Sequence, residues 1–387
     1  MRKITLFLFA LCLLVGVNTL YAQLPKYDHV IIVMEENYSY VQIIGTTNAP
    51  VLTALSKTKY TANFTNSYGN THPSEPNYLE LFSGSNQGVT TDIVGPASGA
   101  PFNDCNMGSS LIAAGYSFIG YAESQPSVGW TSGTSGNYYT KHCPWINWMV
   151  GATSDSIPVN SDLPFSSFPD SLHYSKLPTV SWVIPNIVDD MHNPTGSSTA
   201  IQNGDAWFKK NIMPLVRWAV THNTLVITTW DEDDNLHSNN IATLFSGSNI
   251  NGGTYSTPTF THYDVLRTIE DMYGLPYCGS SSTAADITGM WNITTGITAE
   301  PTITNNVAIW PVPAKSQLNM KISVSTADKV HINICDITGR VIKEENADLK
   351  SGDNAIDLNI EGFANGIYFV NVNSTSLNVC KKFVVQN

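Results

Sequence analysis

The stretch TLVITTWDEDD (224–234) reveals most about the fold, because a β-branched, apolar run ends abruptly in four acidic residues. Such a run favours a buried β-strand. Four other strand-like runs also end in polar side chains: HVIIV (29–33) before Glu36-Asn37, a Thr/Tyr/Phe-rich stretch near 60–68 before His72 and Ser74, YSFIGY (116–121) before Glu123, and TVSWVI (179–184) before Asp189, Asp190 and His192. In open α/β sheets ligands bind beyond the carboxyl ends of the strands. The five runs therefore predict one shared site.

Helical stretches alternate with these strands, at 76–84, 108–115, 204–222 and 262–274. This alternation predicts an α/β fold with a largely parallel sheet and helices on both faces. Between 124 and 175 the chain is rich in Ser, Gly, Pro and aromatic residues without periodicity. We interpret that segment as an insertion over the site, either a lid or a substrate wall.

The ends of the chain differ from its middle. Residues 1–22 have a basic start, a short apolar core and a small residue before the cleavage point, which are typical of a signal peptide. The apolar core is too short to favour a permanent membrane span. A lipid anchor at Cys12 is the alternative. We assign 23–296 to a catalytic domain, 297–306 to a linker and 307–387 to a small β-sandwich of short alternating strands.

The charge balance excludes some partners. Nineteen Lys and Arg against 31 Asp and Glu give a formal charge of −12, and without Arg2 and Lys3 it becomes −14. An acidic exported chain without basic clusters argues against nucleic acid and against docking on anionic membranes. Five cysteines remain after export, and we expect disulfides Cys105–Cys143 and Cys335–Cys380, because each pair lies within one predicted domain.

The acidic pairs at strand ends suggest a metal site. Asp231 and Glu232 would repel one another unless a cation joins them, although an acidic turn in solvent is the alternative. Glu36 with Asn37 follows a second strand, and adjacency to Asn37 favours Glu36 over Glu35 as a ligand. Ser74 precedes a helix, which it either caps or supplies with a metal-activated nucleophile. Oxygen ligands of this kind suit Mg²⁺, Ca²⁺ or Mn²⁺, and a histidine would also admit Zn²⁺ or Fe.

Histidines supply the second group of candidates. His192, close to Asp189 and Asp190, could bind a second metal or a phosphate oxygen, and His142 could also face phosphate. His262 opens a helical stretch and either caps it or joins the site. For each of these histidines a structural role is the alternative. His72 and Glu123 are further candidates from their positions after strands.

Seven motifs resemble the bacterial phosphoesterase family of acid phosphatases and phospholipases C, which is related to the alkaline-phosphatase superfamily. They are VMEENYSY (33–40), HPSEPNYL (72–79), YAESQP (121–126), KHCPW (141–145), DDMHN (189–193), TTWDEDD (228–234) and THYDVLRTIEDMYGLP (261–276). The resemblance implies an alkaline-phosphatase-like fold and one or two divalent ions. It places metal ligands at Glu36, Asn37, Ser74, Asp231 and Glu232, and phosphate contacts at Asn77, His142 and His192, with Ser74 as nucleophile.

The tail resembles the type A sorting domain of the type IX secretion system, through WPVPA (310–314), ICDITGRVI (334–342) and NGIYFVNV (365–372). This resemblance implies export, translocation across the outer membrane by the type IX machinery, and a secreted or cell-surface enzyme.

The expected activity is hydrolysis of phosphomonoesters of small molecules or lipids through a phosphoserine. A phosphodiesterase or phospholipase C is the alternative, with Trp130, Tyr138, Tyr139, Trp145 and Trp148 as an apolar wall for a lipid. A secreted binding protein that has lost catalysis is a remote alternative.

Overall fold

A computed structural model describes residues 24–149, 155–194, 196–292, 307–324, 326–338, 340–374 and 377–386. The chain divides into two compact units, Met1–Ile293 and Thr294–Asn387. The predicted signal peptide and linker lie outside the described residues. No helix in the described part of the chain is long and apolar enough to cross a membrane.

A mixed sheet forms the centre of the first unit. Its described strands are β1 (His29–Glu35), β2 (Thr61–Tyr68), β3 (Phe118–Ala122), β4 (Asp162–Pro164), β5 (Val180–Ile184), β6 (Thr224–Trp230), β7 (Asn240–Gly247), β8 (Gly253–Tyr255) and β9 (Phe260–Thr261). The order is β4-β3-β5-β1-β6-β7-β2-β8, with β9 also paired to β2. The first five strands in this order (β4, β3, β5, β1 and β6) are parallel to one another. Strand β7 is antiparallel to both β6 and β2. The prediction of a largely parallel sheet is confirmed.

Helices cover both faces of this sheet, as predicted. They are α1 (Tyr40–Ile43), α2 (Pro50–Leu55), α3 (Ser74–Ser83), α4 (Met107–Ala113), α5 (Ser198–Asn211), α6 (Met213–Ala219) and α7 (His262–Tyr273). Alternate residues of β1 explain the two layers, because successive side chains of a strand point to opposite faces. Val30 and Ile32 pack in the core with α3, α4 and α7, while Ile31 and Val33 pack in the core with α2, α5 and α6.

The second unit is a sandwich of two antiparallel sheets, as predicted. Its strands are β10 (Val307–Trp310), β11 (Gln317–Val324), β12 (Asp328–Asp336), β13 (Val341–Leu349), β14 (Gly352–Asn359), β15 (Gly366–Asn373) and β16 (Asn378–Val385). One sheet has the order β10-β11-β14 and the other β13-β12-β15-β16. Buried residues from both sheets, such as Leu318 and Val370, form one hydrophobic core.

Both disulfide predictions are wrong. Cys105 pairs with Cys278, while Cys143, Cys335 and Cys380 are free. The thiol of Cys143 is buried in the core, whereas Cys278 lies in the loop after α7, beside the loop that precedes α4. Strand β15 separates Cys335 on β12 from Cys380 on β16. Two strand spacings of about 4.8 Å exceed the reach of a disulfide.

Two buried carboxyls outside the group of predicted site residues make stability depend on pH. Burial raises the pKa of Asp162, which accepts hydrogen bonds from Trp145 and Gln125, to about 7. Burial also raises the pKa of Glu270, which accepts hydrogen bonds from Cys278 N and Ser281 Oγ, to about 7. The folded chain therefore holds protons that the unfolded chain has lost between pH ~4 and ~7.

The free energy of unfolding should consequently fall as pH rises from 5 to 8, by roughly 1–3 kcal/mol for each carboxyl. Urea unfolding at both pH values measures this change. Glu270→Gln should lose less stability than the wild type over the same interval, and the exposed Asp28→Asn should behave as the wild type. Parallel losses in the wild type and Glu270→Gln would show that Glu270 does not carry the effect.

Candidate active site

The structure brings together side chains that follow four strands of the sheet. Glu36 follows β1, Ser74 begins the helix after β2, Asp190 follows β5, and Asp231 and Glu232 follow β6. All five are buried, with 0–4% of their surface exposed. Because β1 lies between β5 and β6, the ends of these three strands are neighbours.

Ser74 is the first residue of α3 and does not cap the helix. Pro73 occupies the N-cap position. The Ser74 hydroxyl lies 3.2 Å from Glu36 Oε2 and 3.1 Å from Glu232 Oε1. A helix N-terminus carries partial positive charge and favours anions such as phosphate. The hydroxyl is therefore set between two carboxylates at a position suited to a phosphoryl group.

Both oxygens of Glu36 have several partners. Oε2 also accepts a hydrogen bond from Asn37 Nδ2 at 2.8 Å. Oε1 accepts one from the Tyr78 hydroxyl at 2.8 Å and lies 2.9 Å from His142 Nε2. Glu35, by contrast, has a buried carboxyl whose oxygens have no hydrogen-bond partner among the described residues. Glu36, which its adjacency to Asn37 favours over Glu35, is thus the glutamate whose carboxylate lies within hydrogen-bonding distance of Ser74, and its role as a metal ligand stays a prediction.

Asp231 links the two strand ends. Its Oδ1 accepts hydrogen bonds from Asn37 N at 3.0 Å and from Glu232 N at 2.7 Å. Its Oδ2 is buried and has no partner in the described part of the chain. Asn37 itself has a left-handed backbone (φ 61°), which asparagine tolerates better than most residues. The unpartnered Oδ2 is the kind of atom that a cation would satisfy.

The carboxylates strongly influence one another. Burial and the Glu36 and Glu232 charges raise the pKa of Asp231 well above its usual range. Burial and Glu36 also raise the pKa of Glu232, to about 8. Burial would raise the pKa of Glu36 too, but His142 and Lys141 outweigh it and hold that pKa well below its usual range. The charges of His142 and Lys141 thus dominate at Glu36, whereas burial and the neighbouring carboxylates dominate at Asp231 and Glu232.

His142 is a buried bridge between two acids. Its Nε2 faces Glu36, its Nδ1 lies 3.4 Å from Asp190 Oδ2, and its ring stacks on Tyr78 with centroids 5.1 Å apart. Burial lowers the pKa of His142, but Glu36 outweighs this effect and raises it to about 9. Glu36, His142 and Asp190 offer ligand atoms within 4.8 Å of one another. They form a second donor set that shares Glu36 with the first.

His72 also lies at the site. Its Nδ1 is hydrogen-bonded to Glu232 Oε2, and its Nε2 is 3.3 Å from Asp233 Oδ1. About a third of the side chain is exposed, which gives this edge of the site access to solvent. Asp233, Asp234 and His237 form another compact group of possible ligands, but the loop's own N–H groups and side chains already bind their atoms.

His192 and two acids occupy the rim behind Asp190. The N–H of His192 donates to Asp190 Oδ1 at 2.8 Å, and the imidazole is half-buried. Glu123 and Asp189 are bridged by Asn186, whose N–H donates to Glu123 and whose Nδ2 donates to Asp189. Burial raises the pKa of both carboxyls. They support the Asp190 turn and do not contact Ser74 in any described hydrogen bond.

Asn77 and His262 have structural partners. Asn77 Oδ1 accepts the N–H groups of Asn70 and Thr71, and its Nδ2 donates to the carbonyls of Thr71 and Pro73. Its contact with phosphate therefore stays a prediction. His262 is buried and its Nε2 donates to Trp230 O at 3.0 Å, while Thr261 caps α7. Burial lowers the pKa of His262 to about 4, so it is neutral.

The proposed lipid wall is wrong for three of its five aromatic residues. Tyr138, Trp145 and Trp148 are at most 1% exposed and pack in the core. Trp145 Nε1 donates to Asp162, and its ring lies against Gly120, where an added Cβ would come within 2.2 Å of the indole. Trp130 and Tyr139 are only partly exposed. The segment 138–149 is therefore part of the core, and the interpretation of a lid does not hold there.

Three residues of the site had not been predicted: Tyr78, Lys141 and Asp92. Tyr78 and Lys141 stand next to predicted site residues in the motifs HPSEPNYL and KHCPW, which could have indicated them. Asp92 follows no strand and had no signal. Its Oδ1 accepts the Glu75 N–H at 3.0 Å, and its Oδ2 accepts Lys141 Nζ at 2.6 Å. Asp92 thus links the residue after Ser74 to the residue before His142.

Asp92→Asn should lower kcat about 10- to 100-fold, because the uncharged amide no longer holds Lys141 against the start of α3, and small misplacements of reacting groups are costly. Steady-state kinetics with a phosphomonoester would measure this loss. The exposed Asp104→Asn, in the same loop region, is the matched control and should keep the wild-type kcat. Equal kinetics in the two variants would exclude a positioning role for Asp92.

Comparisons with known proteins identify the family of the chain. Residues 55–276 match the Phosphoesterase family, and residues 308–386 match the secretion system C-terminal sorting domain. A phosphatidylinositol-3-phosphatase of Mycobacterium tuberculosis is 43% identical over 268 residues, which cover 69% of this chain and 84% of the relative. An acid phosphatase of Aspergillus fumigatus is 30% identical over 235 residues, covering 58% of this chain and 51% of the relative, so the chain spans about half of that protein.

Among solved structures, a protein in the alkaline phosphatase superfamily from Vibrio parahaemolyticus superposes with a TM-score of 0.47 at 11% identity, covering 78% of this chain and 76% of that one. The family match to residues 55–276 spans more than half of the chain, and the relatives described above are phosphatases. The C-terminal part of the chain matches a sorting domain. On the match over residues 55–276, the chain belongs to the phosphoesterase family and is a hydrolase of phosphoric ester bonds.

Proposed function

We propose that the protein is a secreted, metal-dependent phosphomonoesterase of the acid-phosphatase type that acts through a phosphoserine at Ser74. The observation that carries this proposal is the position of the Ser74 hydroxyl, buried at the start of α3 within 3.2 Å of Glu36 and 3.1 Å of Glu232. A serine is a weak nucleophile unless a base or a cation activates it.

The residues at the site fit a divalent cation. Three buried carboxylates surround Ser74, and Asp231 Oδ2 has no partner among the described residues. Glu36, Asn37, Ser74, Asp231 and Glu232 would hold the ion as hard oxygen ligands, which suits Mg²⁺, Ca²⁺ or Mn²⁺. His142 and Asp190 beside Glu36 would admit Zn²⁺ or Fe, or a second ion. When bound, the cation lowers the pKa of the serine hydroxyl and neutralises developing negative charge.

The protein side chains then divide the remaining work. Ser74 Oγ passes its proton to Glu232 Oε1, 3.1 Å away, and attacks phosphorus. The bond from phosphorus to the alcohol oxygen breaks, and the phosphoryl group is carried on Ser74. When water later takes the phosphoryl group, the proton returns from Glu232 to Oγ. When no second ion is bound beside it, the positive charge of His142 offsets the charge of the phosphoryl oxygens. His192, half-buried at the rim, gives a proton to the departing alcohol and later takes one from the water that hydrolyses the phosphoserine.

The structure favours monoesters over lipid diesters. Tyr138, Trp145 and Trp148, three of the five aromatic residues expected to form a wall for a lipid, are buried in the core. The Mycobacterium tuberculosis and Aspergillus fumigatus relatives are named as a phosphatidylinositol-3-phosphatase and an acid phosphatase. Both names describe removal of a phosphate group from its ester.

Secretion is the second part of the proposal. The predicted signal peptide would direct export, and the sorting domain at 308–386 would direct passage through the type IX machinery to the cell surface or medium. Deleting residues 307–387 should leave the enzyme in the periplasm of a host that has this machinery. Immunoblots of the medium and the periplasm measure that difference.

The deciding experiment for the activity compares p-nitrophenyl phosphate, its bis-ester and phosphatidylcholine, after chelation and single return of Mg²⁺, Ca²⁺, Mn²⁺, Zn²⁺ or Fe²⁺. We expect hydrolysis of the monoester to disappear with chelation and to return with a subset of ions. Faster hydrolysis of the bis-ester or the lipid would replace the proposal with a diesterase. A folded protein that hydrolyses none of them would support a binding protein instead.

A further inference from the structure

A polar cavity adjoins the site on the side of His72. Its volume is about 510 Å³, and it lies between residues 70–72 and the loop that holds Asp233, Asn235, Ser238 and Asn239. His72 connects this cavity to the reaction centre, because its Nδ1 binds the same glutamate, Glu232, whose other oxygen binds Ser74. Two side chains, His72 and Glu232, thus connect the cavity to the Ser74 hydroxyl.

The Asp233 carboxylate fixes the outer wall of the cavity. Oδ1 accepts the N–H of Asn235 at 2.7 Å, and Oδ2 accepts the N–H groups of His237 and Asn239, both at 2.8 Å. The Asn239 side chain accepts Asp233 N–H at 2.8 Å and donates to Thr71 O at 3.0 Å, which ties this wall to the opposite one. The cavity is therefore built by a buried acid and does not depend on a ligand for its shape.

The same loop contains three non-glycine residues with left-handed backbone. Asn235, Ser238 and Asn239 have φ values of 63°, 58° and 60°. Such conformations are unfavourable for most residues and collect at functional sites, where the surrounding structure enforces them. Here they leave the side chains of Asn235 and Ser238 exposed at the cavity.

The lining chemistry limits what the cavity accepts. None of the described residues that line it has an aliphatic hydrocarbon side chain, so an acyl chain would find no apolar side chain to pack against and would leave polar groups without hydrogen bonds. None is Lys or Arg, and the Asp233 carboxylate lies in the wall, so a second phosphate or carboxylate would find no lysine or arginine to pair with. Amide, hydroxyl and imidazole groups instead match the hydroxyls of a neutral polyol.

We infer that the cavity binds the alcohol part of the substrate, and that this part is a neutral polyhydroxylated group, as in a sugar or polyol monophosphate. The inference rests on the proposed monoesterase activity and specifies its substrate class. In the reaction, the bond between phosphorus and the sugar oxygen breaks as Ser74 Oγ binds phosphorus, and the sugar leaves as the free alcohol after it gains one proton. Water then releases inorganic phosphate from Ser74.

Binding can be measured apart from turnover in the Ser74→Ala background. The dissociation constants of glucose 6-phosphate, hexyl phosphate and fructose 1,6-bisphosphate, measured by calorimetry with the activating ion present, compare a polyol, an alkyl chain and a second anionic group. We expect glucose 6-phosphate to bind about tenfold more tightly than either of the others, which corresponds to about one or two hydrogen bonds. Equal affinities, or a preference for hexyl phosphate or the bisphosphate, would overturn the inference.

Two glycine substitutions test the residues involved. Asn235→Gly with Ser238→Gly removes both exposed side chains and tolerates the left-handed backbone. This variant, also with Ser74→Ala, should reduce the preference for glucose 6-phosphate over hexyl phosphate to within about threefold. Asn249→Gly, an exposed residue with φ 55° outside the cavity, is the matched control and should keep the full preference. An unchanged preference in the double-glycine variant would contradict the assignment of these side chains.

The two proposals fail in different ways. If the proposed activity is wrong, the wild type will not hydrolyse p-nitrophenyl phosphate. Failure of the polyol site is seen as equal binding constants in the Ser74→Ala background, whatever the wild type hydrolyses.

Discussion

Ser74→Ala should lower kcat for p-nitrophenyl phosphate by at least about 10⁴-fold and leave the fold unchanged. The change removes the atom proposed to attack phosphorus, and the alanine fits the space at the start of α3, where Pro73 rather than Ser74 holds the N-cap position. Activity measurements together with thermal unfolding separate the loss of catalysis from a loss of structure.

Ser83→Ala is the matched control for this substitution. Ser83 lies in the same helix, is 1% exposed, and donates its hydroxyl proton to Leu79 O. It should retain wild-type kcat. Acid quenching during turnover should also trap one phosphoryl group on the wild type and on Ser83→Ala, detected by intact mass, but none on Ser74→Ala. A Ser74→Ala variant with more than about a tenth of the wild-type kcat would exclude Ser74 as the nucleophile.

Asp231→Asn should abolish the stabilisation that a divalent cation gives to the protein. Asparagine keeps Oδ1 to accept the N–H groups of Asn37 and Glu232, but replaces the unpartnered anionic Oδ2 by a donor. For the wild type, an ion at 100 times its dissociation constant should raise the free energy of unfolding by about 2.7 kcal/mol, and chelation should remove this gain together with the activity. Urea unfolding with and without the ion measures the gain.

Asp234→Asn distinguishes the catalytic site from the neighbouring loop. Asp234 lies three residues further along and belongs to the compact group with Asp233 and His237. We expect this variant to keep the cation-dependent gain that Asp231→Asn loses. The reverse pattern would place the ion in the loop and would remove the metal from the proposed catalytic site.

The central sheet and the acidic residues at its edge were predictable because several strands are apolar, β-branched runs that end at polar or acidic residues. A run such as TLVITTW is favourable only when it is buried, and the acids that follow it end the run at a fixed point. Glu36, Ser74, Asp231 and Glu232 consequently meet where predicted. Strand β7, which lies between β6 and β2, was missed although NIATLFSG (240–247) contains the strand formers Ile, Thr and Phe, because no acidic residue or histidine directly follows it to mark a strand end at the site.

Other features depend on contacts that are distant along the chain. Cys105 and Cys278 are 173 residues apart and meet only because α4 and α7 pack on the same face of the sheet. The burial of Trp145 depends on Gly120 in β3, which leaves room for the indole. Asp92 lies in a loop that the sequence does not connect with the site, and its carboxylate contacts both Glu75 and Lys141. No local pattern encodes such pairings.

Among the described residues, the hydrophobic core of the C-terminal sandwich consists of residues from both of its sheets, between Val307 and Val385. A module of this kind does not need its neighbour in order to fold, because the apolar surface of each sheet is covered by the other. Fused behind an unrelated cargo, residues 307–387 should therefore fold autonomously and still carry the sorting signal. Secretion and catalysis would then be separable functions of the two domains. A host with the matching secretion machinery could display an unrelated protein on its surface when that protein is fused to this domain.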